Sequence, residues 1–87
     1  GADGGDVPTT ELAEADLIDG QLDILSLLVK SGLCASKSEA RRNVQQGGVT
    51  VDDQKISDIA ASYDAETLRK GLMIRRGKKN FNKVVLK

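Results

Sequence analysis

The segment Ser36 to Gly48, SKSEARRNVQQGG, gathers Lys37, Ser38, Arg41, Arg42 and Gln45 within one short stretch. These residue types contact phosphate and sugar oxygens, the cations by charge and the hydroxyl and amide by hydrogen bonding. At about 100° per residue, Lys37, Arg41, Gln45, Ser38, Arg42 and Gln46 spread over about half a turn of helix, and Ala40, Val44 and Gly47 collect on the other side. The pattern predicts a helix with a narrow apolar strip and a broad polar face. Further bases come from Lys55 and from the run Arg75, Arg76, Gly77, Lys78, Lys79. If those segments pack beside the helix, the result is a continuous basic patch of the kind that backbone recognition of nucleic acid needs. An ordinary solvated helix face is the competing reading.

Catalytic chemistry finds little support. Histidine is absent, which removes the commonest general base and metal ligand, and the single cysteine, Cys34, can close no internal disulfide and supply no zinc cluster. No catalytic residue and no metal site is assigned. Ser36-Lys37-Ser38 echoes the KMSKS loop of class I aminoacyl-tRNA synthetases, but a helix cap explains it better, and the histidine-containing partner motif of that loop cannot exist here. Cys34 reads as a small buried filler, and Asp52-Asp53 as turn residues. Phe81 and Tyr63 are the only aromatics, too few for a surface that stacks base after base; Phe81 is expected in the core. No apolar run approaches the ~18 residues of a membrane span, and with a lone thiol the expectation is a cytoplasmic protein.

Several elements must position the basic residues. Leu22, Leu25, Leu28 and Val29, widened by Ile24 and Leu27, predict a first helix at about 22–31, with Gly32 as its left-handed cap. Ser36 and Glu39 form a capping box opening a second helix at about 37–46, which Gly47-Gly48 ends. Only Leu33, Cys34 and Ala35 lie between, so a tight helical hairpin follows. Val49-Thr50-Val51, Asp52-Asp53 and Gln54-Lys55-Ile56 read as a β-hairpin, and the segments around Gly77 as another. Residues 57–70 leave a short helix near 64–68 and an irregular connection both open. The first twenty residues carry six acids and no base, whereas the other 67 carry 13 bases and seven acids. Residues 1–20 are therefore expected to be a flexible acidic linker, with one or two helical turns between Thr10 and Leu17, and residues 21–87 the binding domain. The fold class is α+β, a two-helix hairpin packed on a small, mostly antiparallel sheet.

The stretch LDILSLLVKSGLCASKSEARRNVQQGGVTVDDQKI resembles the small RNA-binding domain named after ribosomal small-subunit protein four. The tail LRKGLMIRRGKKNFNKVVLK, with its RxGKK before a last strand, and the Val7-Pro8-Thr9 leader are similar to the C-terminal RNA-binding domain of bacterial-type tyrosyl-tRNA synthetases. That resemblance implies a parent that activates tyrosine with ATP and attaches it to its tRNA. The domain itself would need no cofactor and would clamp between the long variable arm and the anticodon stem of tyrosine tRNA. It also implies neighbouring catalytic and anticodon-side domains and a parent homodimer formed outside this segment. Carried over by motif, Lys37, Ser38, Arg41, Arg42 and Gln45 would touch RNA from the second helix and Lys78 and Lys79 from the tail, joined by Lys55, Arg75 and Arg76. Two positions depart from the family pattern. Gln21 stands where an Arg often precedes the first helix, and Asp52-Asp53 replaces a common Asn-Gly turn. An RNA-targeting module of a pseudouridine synthase or ribosome-associated factor, and a basic protein-interaction module, are the alternatives.

Overall fold

A computed structural model describes residues 8–77 and 79–87. Helix α2 (Lys37–Gln45) opens at Ser36, whose Oγ accepts from the Glu39 N–H at 3.3 Å. The returning half of the expected capping box, Glu39 carboxylate to Ser36 amide, is not formed; Glu39 instead uses its backbone oxygen to accept from Asn43 Nδ2 at 2.8 Å. At the other end Gly47, at φ +76°, donates to Val44 O, and Gly48 donates to Asn43 O. These two bonds are the Schellman pair that satisfies the last carbonyls of a helix. Helix α1 (Ile24–Lys30) closes in the same way at Gly32, with Leu33 N–H bonded to Leu28 O. Replacing Ser36 by alanine is expected to lower stability by about 0.5–2 kcal/mol, as loss of an N-cap does; an unchanged urea midpoint would show that the cap bond contributes nothing.

Helices α1 and α2 pack together and the third helix packs on the last strand, and the buried side chains of all three helices share one core with the inner face of a five-stranded sheet. Its strands β1 (Thr9–Leu12), β3 (Val49–Val51), β4 (Gln54–Lys55), β6 (Leu72–Arg76) and β7 (Asn80–Leu86) lie in the order β1-β7-β6-β3-β4, antiparallel except for the parallel β1–β7 pair. A second, two-stranded sheet joins β2 (Gln21–Asp23) to β5 (Ser62–Asp64), and α3 (Ala65–Lys70) follows β5 directly. Ile24, Leu27, Leu28, Ala40, Val44, Val49, Leu68, Ile74 and Val84 are fully enclosed between these layers.

Three expectations are corrected by the fold. Residues 9–20 are not linker: Thr9–Leu12 pairs with β7, Leu12 is buried, and Glu14–Asp16 forms a single 3-10 turn. Of the one or two helical turns expected between Thr10 and Leu17, one forms, at Glu14–Asp16; Thr10–Leu12 goes into the strand, because a partner far along the chain supplies the hydrogen bonds that a short isolated helix would lack. The assignment of residues 1–7 to a linker lies outside the described residues. The first helix begins at Ile24 rather than near Leu22, since Gln21–Asp23 pairs with β5 and Asp23 is the N-cap. Phe81 is 39% exposed rather than in the core, because it is out of phase with Val84 and Leu86, the inward-facing residues of β7.

Two aspartates cap helices. Asp23 Oδ2 accepts from the Ser26 N–H at 3.2 Å, and Asp64 Oδ1 from the Thr67 N–H at 2.9 Å. Burial pushes the Asp23 carboxyl up, but the bonds from Ser26 outweigh it and leave the pKa below the ordinary 3.8; bonds from Thr67 lower Asp64 in the same direction. Both groups thus hold a proton less readily folded than unfolded. Their contribution is complete above the unfolded value and is lost as the pH falls through the lower folded values. The urea midpoint is expected to hold from pH ~7 to ~5 and to drop below pH ~4. Asp23→Ala should cost about 0.5–2 kcal/mol at neutral pH and make that acid drop shallower; an equally steep drop would clear Asp23 of any part in it.

Candidate nucleic-acid interface

Helix α2 has the two faces that its spacing predicts. Ala40 and Val44 are wholly buried, and Lys37, Ser38, Arg41, Arg42 and Gln45 are all exposed. Lys37, Arg41 and Arg42 have no ion-pair partner among the described residues. Three acids of the N-terminal segment are occupied elsewhere. Glu11 pairs with Lys87 at 3.1 Å, Glu14 with Arg69 at 2.8 Å and Asp16 with Lys30 at 3.3 Å. Such surface pairs contribute little stability, but they decide where the compensating charge sits. These three acids are neutralised by bases outside α2, and the bases of α2 keep their charge on its exposed face.

Lys55, on β4, lies across the C-terminal end of α2, where a Cβ at Gly47 would collide with its side chain. The turn that carries Lys79 starts beside the same helix end, because the Gly77 N–H donates to Gly48 O at 2.8 Å. Lys79 is exposed; Lys78 lies outside the described residues. These contacts bring one turn of the tail and one lysine of the hairpin to α2.

Arg75 and Arg76 do not act together. Strand neighbours point to opposite faces, so Arg75 stands exposed on the side away from the helices and Arg76 turns towards them, half-buried. The Arg76 Nε is enclosed without a hydrogen-bond partner among the described residues, and its charge reaches Cys34. Cys34 is buried beside α2, where Asn43 Nδ2 donates to its Sγ at 3.7 Å. Burial raises its pKa, which keeps the thiol neutral and unreactive. Sequence reasoning missed Met73, Phe81 and Lys83 on the outer sheet face. The signal was present in the alternation of FNKVVL, where Phe81 and Lys83 are in phase and Asn82, Val84 and Leu86 form the inward set.

The Asp52-Asp53 turn takes left-handed backbone at both residues, φ 50° and 69°, the conformation of a two-residue hairpin turn. Asp52 also ties the turn to the next strand: its N–H donates to Met73 O and its Oδ1 accepts from the Met73 N–H. Among the described residues no group of His, Cys, Asp or Glu is placed to hold a metal ion, and no helix is long and apolar enough to cross a membrane.

The fold that carries this helix face has known relatives. The family model described as the tyrosine-tRNA ligase SYY-like C-terminal domain matches residues 3–84. The chain belongs to that family. The match runs through the tail, so the tyrosine-ligase C-terminal domain is favoured over other RNA-targeting modules built on the two-helix motif. A tyrosine-tRNA ligase of Clostridium botulinum (strain Loch Maree / Type A3) is 45% identical over 83 residues, 94% of this chain and 20% of that protein. One from Clostridium tetani is 39% identical over 87 residues, 99% of this chain and 21% of that protein. The chain therefore spans about a fifth of the length of the curated relatives it matches. A solved structure, the solution structure of a tyrosyl-tRNA synthetase C-terminal domain, superposes with a TM-score of 0.68 at 31% identity, covering 94% of this chain and 80% of that one. It agrees with the α+β class expected from the sequence.

Proposed function

We propose that this tyrosine-tRNA ligase C-terminal domain holds tyrosine tRNA against its enzyme, with the α2 face laid on the RNA backbone. The observation that carries the reading is the exposed row Lys37, Arg41 and Arg42, none of which has an ion-pair partner among the described residues, while Glu11, Glu14 and Asp16 pair with Lys87, Arg69 and Lys30. Ser38 and Gln45 add hydrogen-bonding groups on the same face, and Lys55 and Lys79 extend it past the C-terminal end of the helix. Lys78 belongs to the same extension by its place in the sequence. Arg75 and Arg76 stand apart from it, one behind the sheet and one within the domain.

On this reading the long variable arm and the anticodon stem are the RNA elements clamped, which a convex basic helix can reach without base-by-base stacking. ATP and tyrosine are handled outside these 87 residues, by catalytic and anticodon-side domains of a cytoplasmic, homodimeric parent. The domain's part is affinity and placement.

Titration against tyrosine tRNA with and without its long variable arm, at several salt concentrations, tests this. Loss of binding on deleting the arm supports the clamp. Equal binding to both RNAs with a steep salt dependence would reduce the face to a general polyanion surface, as the protein-interaction reading also expects.

A further inference from the structure

The sheet has a second face, opposite the helices, that no described element covers. Val49, Val51, Leu72, Ile74 and Val84 point inward and are buried, so their strand neighbours Thr50, Met73, Arg75, Phe81 and Lys83 point outward. The pairings Thr50 to Arg75 and Arg75 to Phe81 set these three side chains in one row across β3, β6 and β7. Phe81 and Met73, 39% and 36% exposed, are two of the three large apolar side chains on the surface of the described chain. A cavity of about 230 Å³ lies between them, lined by Thr50, Asp53, Met73, Arg75 and Phe81. Arg75 Nε donates to Thr50 Oγ1 at 3.3 Å. That bond steadies the guanidinium and leaves its terminal amino groups without a partner among the described residues.

We propose that this face takes one unpaired RNA nucleotide, with its base stacked on Phe81 and its phosphate on Arg75, as a contact separate from the α2 face. The inference rests on the RNA reading above and adds a site to it. The cavity is smaller than the roughly 300–1,000 Å³ of a drug-sized ligand pocket, which suits one flat base. A ring edged by a guanidinium is the combination that binds single-stranded nucleic acid through stacking and charge. The surrounding charge has the matching sign. Lys83 lies on the same face, and the outward Glu11 is neutralised by Lys87. Asp53 is the exception at the cavity rim. Its carboxylate only accepts hydrogen bonds, so it turns phosphate away and meets the N–H edge of a base, which orients the nucleotide with phosphate towards Arg75. Phe81, Met73 and the half-buried Val85, set among cations, form too small an apolar patch for a stable protein interface.

The chain has no tryptophan, so Phe81→Trp installs a single indole at the stacking position. A short single-stranded oligoadenylate is expected to quench its fluorescence saturably, and to do so equally when Arg41 and Arg42 are both alanine. In the otherwise unaltered chain, Phe81→Ala is expected to weaken oligonucleotide binding by about 5- to 150-fold, the value of one stacked base, with an unchanged urea midpoint. Absence of quenching by both oligonucleotide and tyrosine tRNA, while the tRNA still binds through α2, would overturn the second site and leave the α2 reading standing. Quenching that disappears in the Arg41 and Arg42 double variant would also overturn it, because the two faces would then be one site. A chain that binds neither RNA would overturn both readings.

Discussion

Replacing Leu12 by alanine is expected to lower the stability of this chain by about 2–5 kcal/mol, the cost of emptying an enclosed leucine site. Leu12 is 3% exposed and lies opposite Leu86 in the parallel β1–β7 pair. The backbone around it closes the edge of the sheet: Lys87 N–H donates to Leu12 O at 2.9 Å, and Lys83 N–H to Pro8 O at 2.8 Å. Two residues earlier, Thr10 Oγ1 donates to Asn82 Oδ1 at 2.9 Å, and the buried Asn82 in turn donates to Ser31 O at 3.1 Å. β1 is thereby linked through β7 to the end of α1. Because a small domain has only about 5–15 kcal/mol in total, the loss should show as a large fall in the urea midpoint at unchanged slope. The neighbouring Glu11→Ala, on the exposed side of the same strand, should stay within about 0.5 kcal/mol. A Leu12→Ala midpoint equal to that of Glu11→Ala would return residues 9–12 to a linker.

The second large effect is on RNA. Changing Arg41 and Arg42 together to alanine is expected to weaken tyrosine-tRNA binding by about 100-fold or more, since a hydrogen bond to a charged group contributes about 1.5–3 kcal/mol. It should also lower the log-log salt slope by about 1.8, each duplex phosphate contact contributing about 0.9. Both side chains are exposed and have no ion-pair partner among the described residues, so the urea midpoint should not move. Lysine at both positions should restore the slope and only part of the affinity, because charge returns and the planar two-donor fork does not. Arg69→Ala, which removes a base already paired with Glu14, serves as the control and should change neither quantity. A double-alanine variant with the wild-type slope would take α2 out of the interface.

Where an element draws its bonds from its own neighbours, it could be read in advance. Ser36 capping α2, Gly32 and Gly47 ending the two helices, Ala40 and Val44 inward with Lys37, Arg41 and Arg42 outward, and a turn at Asp52-Asp53 all follow from spacing within a few residues. The same locality explains why the core of the candidate site was legible: five of its residues sit on one short helix whose periodicity alone separates the buried side from the wet one.

What only the tertiary structure decided depends on partners distant in sequence. Thr9–Leu12 becomes a strand because β7, more than seventy residues later, offers it an edge, and Gln21–Asp23 is drawn from the predicted helix into pairing with β5. Arg75 and Arg76, adjacent in the chain, part to opposite sides once β6 is a strand, and Phe81 moves from expected core to surface when register sets it opposite Arg75. Sequence by itself determined the local elements, the family and the charged face of α2. The fold decided which edge closes the sheet, which bases share a surface and where the one exposed ring stands, because strand pairing and register are set by long-range burial rather than by the neighbours of any residue.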